Sequence, residues 1–196
     1  RHFFHRRDAE TQRSLTVKAI SIWQPWASAI AIGAKRFETR SWETRYRGPL
    51  LIHASKRCVQ DEMIQVKCSW TWCGVLRPLG LSMGGMERPE EFLPFGKIIA
   101  IANLVDCRAA GELTLQEVGE WRFPAGEENK IFAWNEGILG DFTLGRFAWQ
   151  LDDVRQLKRP IDFRGAQGLF EVPDELLKGC TEVAMFSGVC GTPLTD

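Results

Sequence analysis

Short runs of strand length recur along this chain, and the gaps between them hold only short helices. Residues 17–23, 35–42, 49–54, 97–105, 147–151, 154–157 and 168–172 all read in this way. A parallel sheet of the doubly wound kind needs a long, usually helical, crossover after each strand. The pattern here argues instead for an α+β chain built as a mixed β-barrel with short flanking helices. A small barrel is filled by its own inward side chains, so a ligand must be held at its mouth or in a cleft on its wall.

Local signals sharpen the expectation around the first strand. Ile20 and Ile22 fall on one face, and Ser21 and Trp23 on the other. Pro25 suits the first position of a helix, where its missing N–H costs nothing. Trp26, Ala29 and Ile30 follow at helical spacing, and Gly33 is placed to end the helix in a left-handed turn. In the next strand Phe37 and Thr39 share one side, with Glu38, Arg40 and Trp42 on the other. Arg47-Gly48-Pro49 is a turn. Residues 57–68 are compatible with a helix, while 69–96 carry so many Gly and Pro that they read as an irregular insertion. Thr114 and Glu117 form a capping-box pattern for a short helix to 121, and 173–178 open a terminal helical turn.

Composition excludes more than it identifies. The chain has 196 residues, 44% hydrophobic and 26% charged, which is ordinary for a globular fold. No run approaches the roughly 18 apolar residues of a membrane-spanning helix, and the basic start at 1–7 lacks the apolar stretch of a secretory signal. Cysteines at 58, 68, 73, 107, 180 and 190 contain no C-x-x-C pair, so reduced thiols in a cytoplasmic or other reducing compartment are expected. His53, Cys58, Cys68 and Cys73 match no common zinc spacing, and no metal or other cofactor is expected. Net charge is zero, yet residues 35–57 hold seven Lys or Arg against Glu38 and Glu43. Residues 106–128 reverse the sign, with six acids against Arg108 and Arg122. Such asymmetry suits a polyanion-binding face, with the acids available to a protein partner; an ordinary solvated surface is the alternative.

Ile20-Ser21-Ile22-Trp23-Gln24-Pro25-Trp26, followed by Gly33, Lys35, Glu38 and Arg40 in a G-x-K-x-x-E-x-R pattern, resembles the ASCH domain family. The likeness continues through Tyr46-Arg47-Gly48-Pro49 to Lys56, through residues 95–107, and through Phe147-Ala148-Trp149 to 165–170. It implies a PUA-like barrel at 15–178, with the insertion at about 69–96 and tails at 1–14 and 179–196. The family generally handles RNA or modified bases, in a cleft between the first helix and the barrel. In one branch, which removes the acetyl group from N4-acetylcytidine, a Lys at the position of Lys35 is thought catalytic, helped by a Thr where this chain has Glu38. The sequence agrees instead with the branch resembling a transcription coactivator.

The residues themselves support the same region. Arg and Lys interleaved with Trp23, Trp26, Trp42 and Tyr46 offer charge for phosphates and rings for stacking, although each ring is equally suited to the core. The candidate ligand-binding set is Gln24, Trp26, Lys35, Glu38, Arg40, Arg45, Tyr46, Arg47, His53 and Lys56. Gln24 presents both a donor and an acceptor to a base edge, or caps the helix. Lys35 beside Glu38 is a phosphate-binding cation or, in an amidohydrolase, a base or nucleophile assisted by Glu38. Glu38 and Arg40 alternatively form a strand salt link, and His53 sits in an apolar strand where a bonded core histidine is the commoner case. The expected partner is single-stranded RNA or another nucleic acid with an accessible base. A modified nucleoside fits the hydrolase alternative, a metal-assisted ribonuclease is a weaker one, and no membrane is implied.

Overall fold

The computed structural model describes residues 15–58, 93–114 and 139–178. Six strands and one helix lie in them: β1 (Thr16–Gln24), α1 (Trp26–Ala31), β2 (Phe37–Arg40), β3 (Gly48–Cys58), β4 (Lys97–Ala109), β5 (Phe147–Asp162) and β6 (Leu169–Pro173). They form one mixed sheet in the order β2-β5-β4-β3-β1-β6. Only β1 and β3 run parallel; the other neighbours are antiparallel. The connection between the parallel pair carries α1 and β2, so β2 leaves to join the far end of the sheet.

The sheet curls back on itself. Arg40 on β2 is separated from β1 by three strands in the hydrogen-bonded order, yet its Nη2 donates to the Ser21 carbonyl at 2.7 Å. Register shifts explain the bending: three interrupt the β4–β5 ladder, at 98/100, 101/103 and 104/106, and another falls at Ile52/His53 on β3. An extra residue on one strand bends it and increases its twist, as barrel closure requires. The α+β architecture anticipated from strand spacing, a mixed sheet with little helix, is the one observed.

Period-2 alternation sorts the two faces of the β1–β3 pair. Ile20, Ile22, Leu50, Ile52 and Ala54 face one core with Trp149 and Leu151, and α1 fills it with Ala27, Ile30 and Ala31. Ala19 and Leu51 point the other way, into a second cluster with Ile98, Leu157 and Val172. Beyond that cluster the same face continues as Ser21 and Trp23 on β1 beside His53 and Ser55 on β3, and there it opens to solvent.

Several details differ from the sequence reading. Pro25 stands one place before the helix, after a cis Gln24–Pro25 bond, and its carbonyl accepts from Ala29 N at 2.9 Å. Residues 147–162 make one long strand rather than two, because Asp153, at φ 45°, is absorbed as an irregularity without ending the ladder. Arg57 and Cys58 extend β3 and do not begin a helix. The rest of the 57–68 helix, most of the 69–96 insertion, the helix expected after Thr114 and most of the acidic stretch lie outside the described residues. Gly33 ends α1 at φ +77°, as anticipated.

Candidate nucleic-acid interface

A cleft of about 1290 Å³ opens where β1 and β3 run out of the second core. Its walls are Trp23 from β1, Arg40 and Trp42 from β2 and the turn after it, Ser55 and Lys56 from β3, and residues 163–168 between β5 and β6. Trp23 is the notable wall, with 47% of its surface exposed. Trp42 is anchored from behind: its ring meets Trp149 edge-on at 4.5 Å, and its carbonyl accepts from Trp149 Nε1 at 3.3 Å. One ring is therefore open and one rigidly backed, with Arg40, Lys56 and Arg164 around them.

The floor is a bonded pair. Parallel register sets Ser21 beside His53, with Ser21 Oγ 3.0 Å from His53 Nδ1 and His53 Nε2 3.0 Å from the Phe163 carbonyl. Burial holds the His53 pKa below its ordinary value, against a smaller opposing effect of the Phe163 carbonyl. Gly165 comes so close that a Cβ there would lie 2.4 Å from His53 Cε1 and 2.5 Å from Ser21 Oγ. Only a residue without a side chain lets the 163–168 loop lie over this pair.

Behind the wall is a charge relay of packing. Lys35, 1% exposed, donates to the Phe37 carbonyl and lies 3.6 Å from Glu38 Oε2. Glu38 Oε1 is 3.0 Å from Arg40 Nε, an ion pair whose N–H is not aimed along a hydrogen bond. Such a buried row is weak evidence for stability, since desolvation offsets much of the attraction. It does fix Arg40, whose Nη2 is simultaneously tied to Ser21 O.

The sequence-derived residues therefore divide. Arg40, His53 and Lys56 line the cleft, and Glu38 holds Arg40 from beneath. Gln24 is fully buried: Nε2 donates to Pro94 O at 2.7 Å and Oε1 accepts from Ser28 N at 3.1 Å, so it serves the helix start. Trp26 packs against the main core, and Lys35 is enclosed. Arg45, Tyr46 and Arg47 stand at the opposite end of β3. Arg47 pairs with Asp106 at 3.3 Å, and Tyr46 donates to Pro49 O. At about 3.3 Å per residue, that end is on the order of 30 Å from Lys56. No residue of α1 lines the cleft, which lies against β1, β3 and the 163–168 loop rather than against the helix. Trp23 and Trp42, which the sequence offered as stacking rings, line the cleft, whereas Ser21, Phe163, Arg164 and Gly165 were outside the candidate set. For Ser21 and Trp23 the alternation of β1 carried the signal, whereas Arg164 and Gly165 arrive from more than 100 residues away and had none. Among the described residues no three His, Cys, Asp or Glu side chains gather where a metal ion would be held.

The curled, mixed sheet thus carries a cationic, aromatic cleft at one end. A model of the ASCH domain matches residues 20–141, and the chain belongs to that family. Activating signal cointegrator 1 of Mus musculus is 34% identical over 89 residues, and that of Homo sapiens 33%. Each match covers 45% of this chain, and the chain spans only 14% of the length of those relatives. Among solved structures, an ASCH protein from Zymomonas mobilis superposes with a TM-score of 0.42 at 17% identity, covering 82% of this chain and 90% of its own. A variant of the Zymomonas mobilis protein gives 0.42 at 19%, covering 82% and 93%.

Proposed function

We propose that this domain binds single-stranded RNA, or another nucleic acid with an accessible base, in the cleft between Trp23, Trp42 and the 163–168 loop. The observation that carries the reading is Trp23: a large ring left 47% exposed inside a concave site that also presents Arg40 and Lys56. An exposed ring beside cations in a concave site offers a stacking face to an unpaired base whose phosphates suit those cations. The amidohydrolase alternative finds less support, because its base or nucleophile, Lys35, is 1% exposed and does not line the cleft. Replacing Trp23 with Ala should weaken binding of a single-stranded oligoribonucleotide by about 1–3 kcal/mol, the usual worth of one base–ring stack. Unchanged affinity in that variant would place the site elsewhere.

A further inference from the structure

The floor of the cleft has a polarity that follows from its hydrogen bonds. The Phe163 carbonyl only accepts, so the 3.0 Å contact with His53 Nε2 requires the ring proton to be there. In the neutral ring Nδ1 is then an acceptor, and its 3.0 Å partner, the Ser21 hydroxyl, must donate to it. A hydroxyl has one hydrogen. With that hydrogen committed to His53, Ser21 presents only lone pairs to the cleft. The Arg40 guanidinium does not reverse this, since its Nη2 is turned to Ser21 O and its Nε lies against Glu38. Lys56 and Arg164 also line the site. The cleft thus has an electron-rich floor and cations to take phosphates, which orients a nucleotide with its base inward.

We infer that Ser21, held by His53, is a specificity-determining residue that selects a base carrying an exocyclic amino group at the cytosine N4 or adenine N6 position over uracil. This rests on the reading of the cleft as a nucleic-acid site. An amino N–H completes a hydrogen bond to the Ser21 oxygen. Uracil offers a carbonyl oxygen in the amino position, and two acceptors facing each other leave both without a partner. Its single ring donor, N3–H, is flanked by two carbonyls that crowd the same oxygen. Gly165 keeps the arrangement in place, because the loop backbone packs on Ser21 and His53 at distances no side chain would permit.

The test compares equal-length oligoribonucleotides of cytidine, uridine and N4,N4-dimethylcytidine, titrated against the full chain at one fixed salt concentration. The first two are pyrimidines that carry the same phosphates. The third keeps the cytosine ring and loses both amino hydrogens. Cytidine should bind about fivefold tighter than uridine, the worth of one hydrogen bond, and the dimethylated oligomer should fall to the uridine level. In Ser21→Ala the ratio of cytidine to uridine affinity should collapse to about one. Equal affinity for cytidine and uridine in the wild-type protein, or a preference that survives Ser21→Ala, would overturn the inference and leave the nucleic-acid site standing. Absence of binding to all three would overturn both.

Discussion

Gly165→Ala is the sharpest perturbation the cleft allows. The added methyl would lie 2.4 Å from His53 Cε1, 2.5 Å from Ser21 Oγ and 2.6 Å from His53 Nδ1, all inside the 3.0 Å that real Cβ contacts respect. His53 has little room to yield, because both ring nitrogens are bonded and Phe170 stands edge-on at 6.0 Å. Relief must therefore come from moving the 163–168 loop, which breaks the Phe163 carbonyl contact, or from displacing His53, which breaks both of its bonds. Overpacking of this kind costs about 1–3 kcal/mol, which for a chain of this size is a fall of about 2–12 °C in the unfolding midpoint. Thermal unfolding reads that loss, and oligonucleotide titration of the same sample reads the cleft. Gly168→Ala is the control, since nothing lies within 4 Å of its Cβ and only its φ of +68° opposes the change. It should cost stability by backbone strain, yet leave the His53 bonds intact. If Gly165→Ala unfolds at the wild-type temperature and binds normally, the loop does not lie on the Ser21–His53 pair, and the account of the floor is wrong.

Other consequences are equally open to measurement. Glu38→Gln leaves the enclosed Lys35 ammonium without its carboxylate, and urea unfolding should show a loss of about 3–5 kcal/mol; a loss under about 1 kcal/mol would mean the pair is not carrying charge. His53 has a folded-state pKa below its ordinary 6.5, so the unfolded chain takes up a proton first. The His53 contribution is then fully present above 6.5 and declines as pH falls through that value toward the folded pKa. His53→Gln should flatten this limb of the stability profile, and an identical acid limb in wild type and variant would refute the assignment. Lys56→Ala and Arg164→Ala should each reduce the log–log salt slope of single-strand binding by about 0.7 if each neutralises one phosphate. Arg45→Ala and Arg47→Ala, at the far end of β3, should leave the slope unchanged, and a reversed pattern would move the site to that end.

Much of the fold is legible in the residues because it rests on local patterning. The Ile20/Ile22 against Ser21/Trp23 alternation, the Gly33 stop and the apolar run from 97 specify β1, α1 and β4 without tertiary information. The same alternation, carried two residues further, puts Gln24 with Ile20 and Ile22 on the buried face. Its polar amide suggested a base reader, but the strand period assigns it to the interior. Lys35 and Trp26 illustrate a different limit. Their chemistry suits a site, but in the fold Lys35 is enclosed beside Glu38 of β2 and Trp26 packs on the main core. Arg45 and Arg47 belong to the basic stretch by sequence, yet an extended β3 carries them away from Lys56. The 163–168 loop is the converse case, since nothing near residue 165 signals that strand closure brings it onto Ser21.

The most direct test follows tryptophan fluorescence of the wild-type protein and of Trp23→Phe during titration with a single-stranded oligoribonucleotide at low and moderate salt. Stacking on the exposed ring predicts quenching in the wild type that weakens steeply as salt rises, with most of the signal lost in Trp23→Phe. Quenching of equal depth in both proteins, or none at low salt, would contradict the claim that this cleft is where the domain meets nucleic acid.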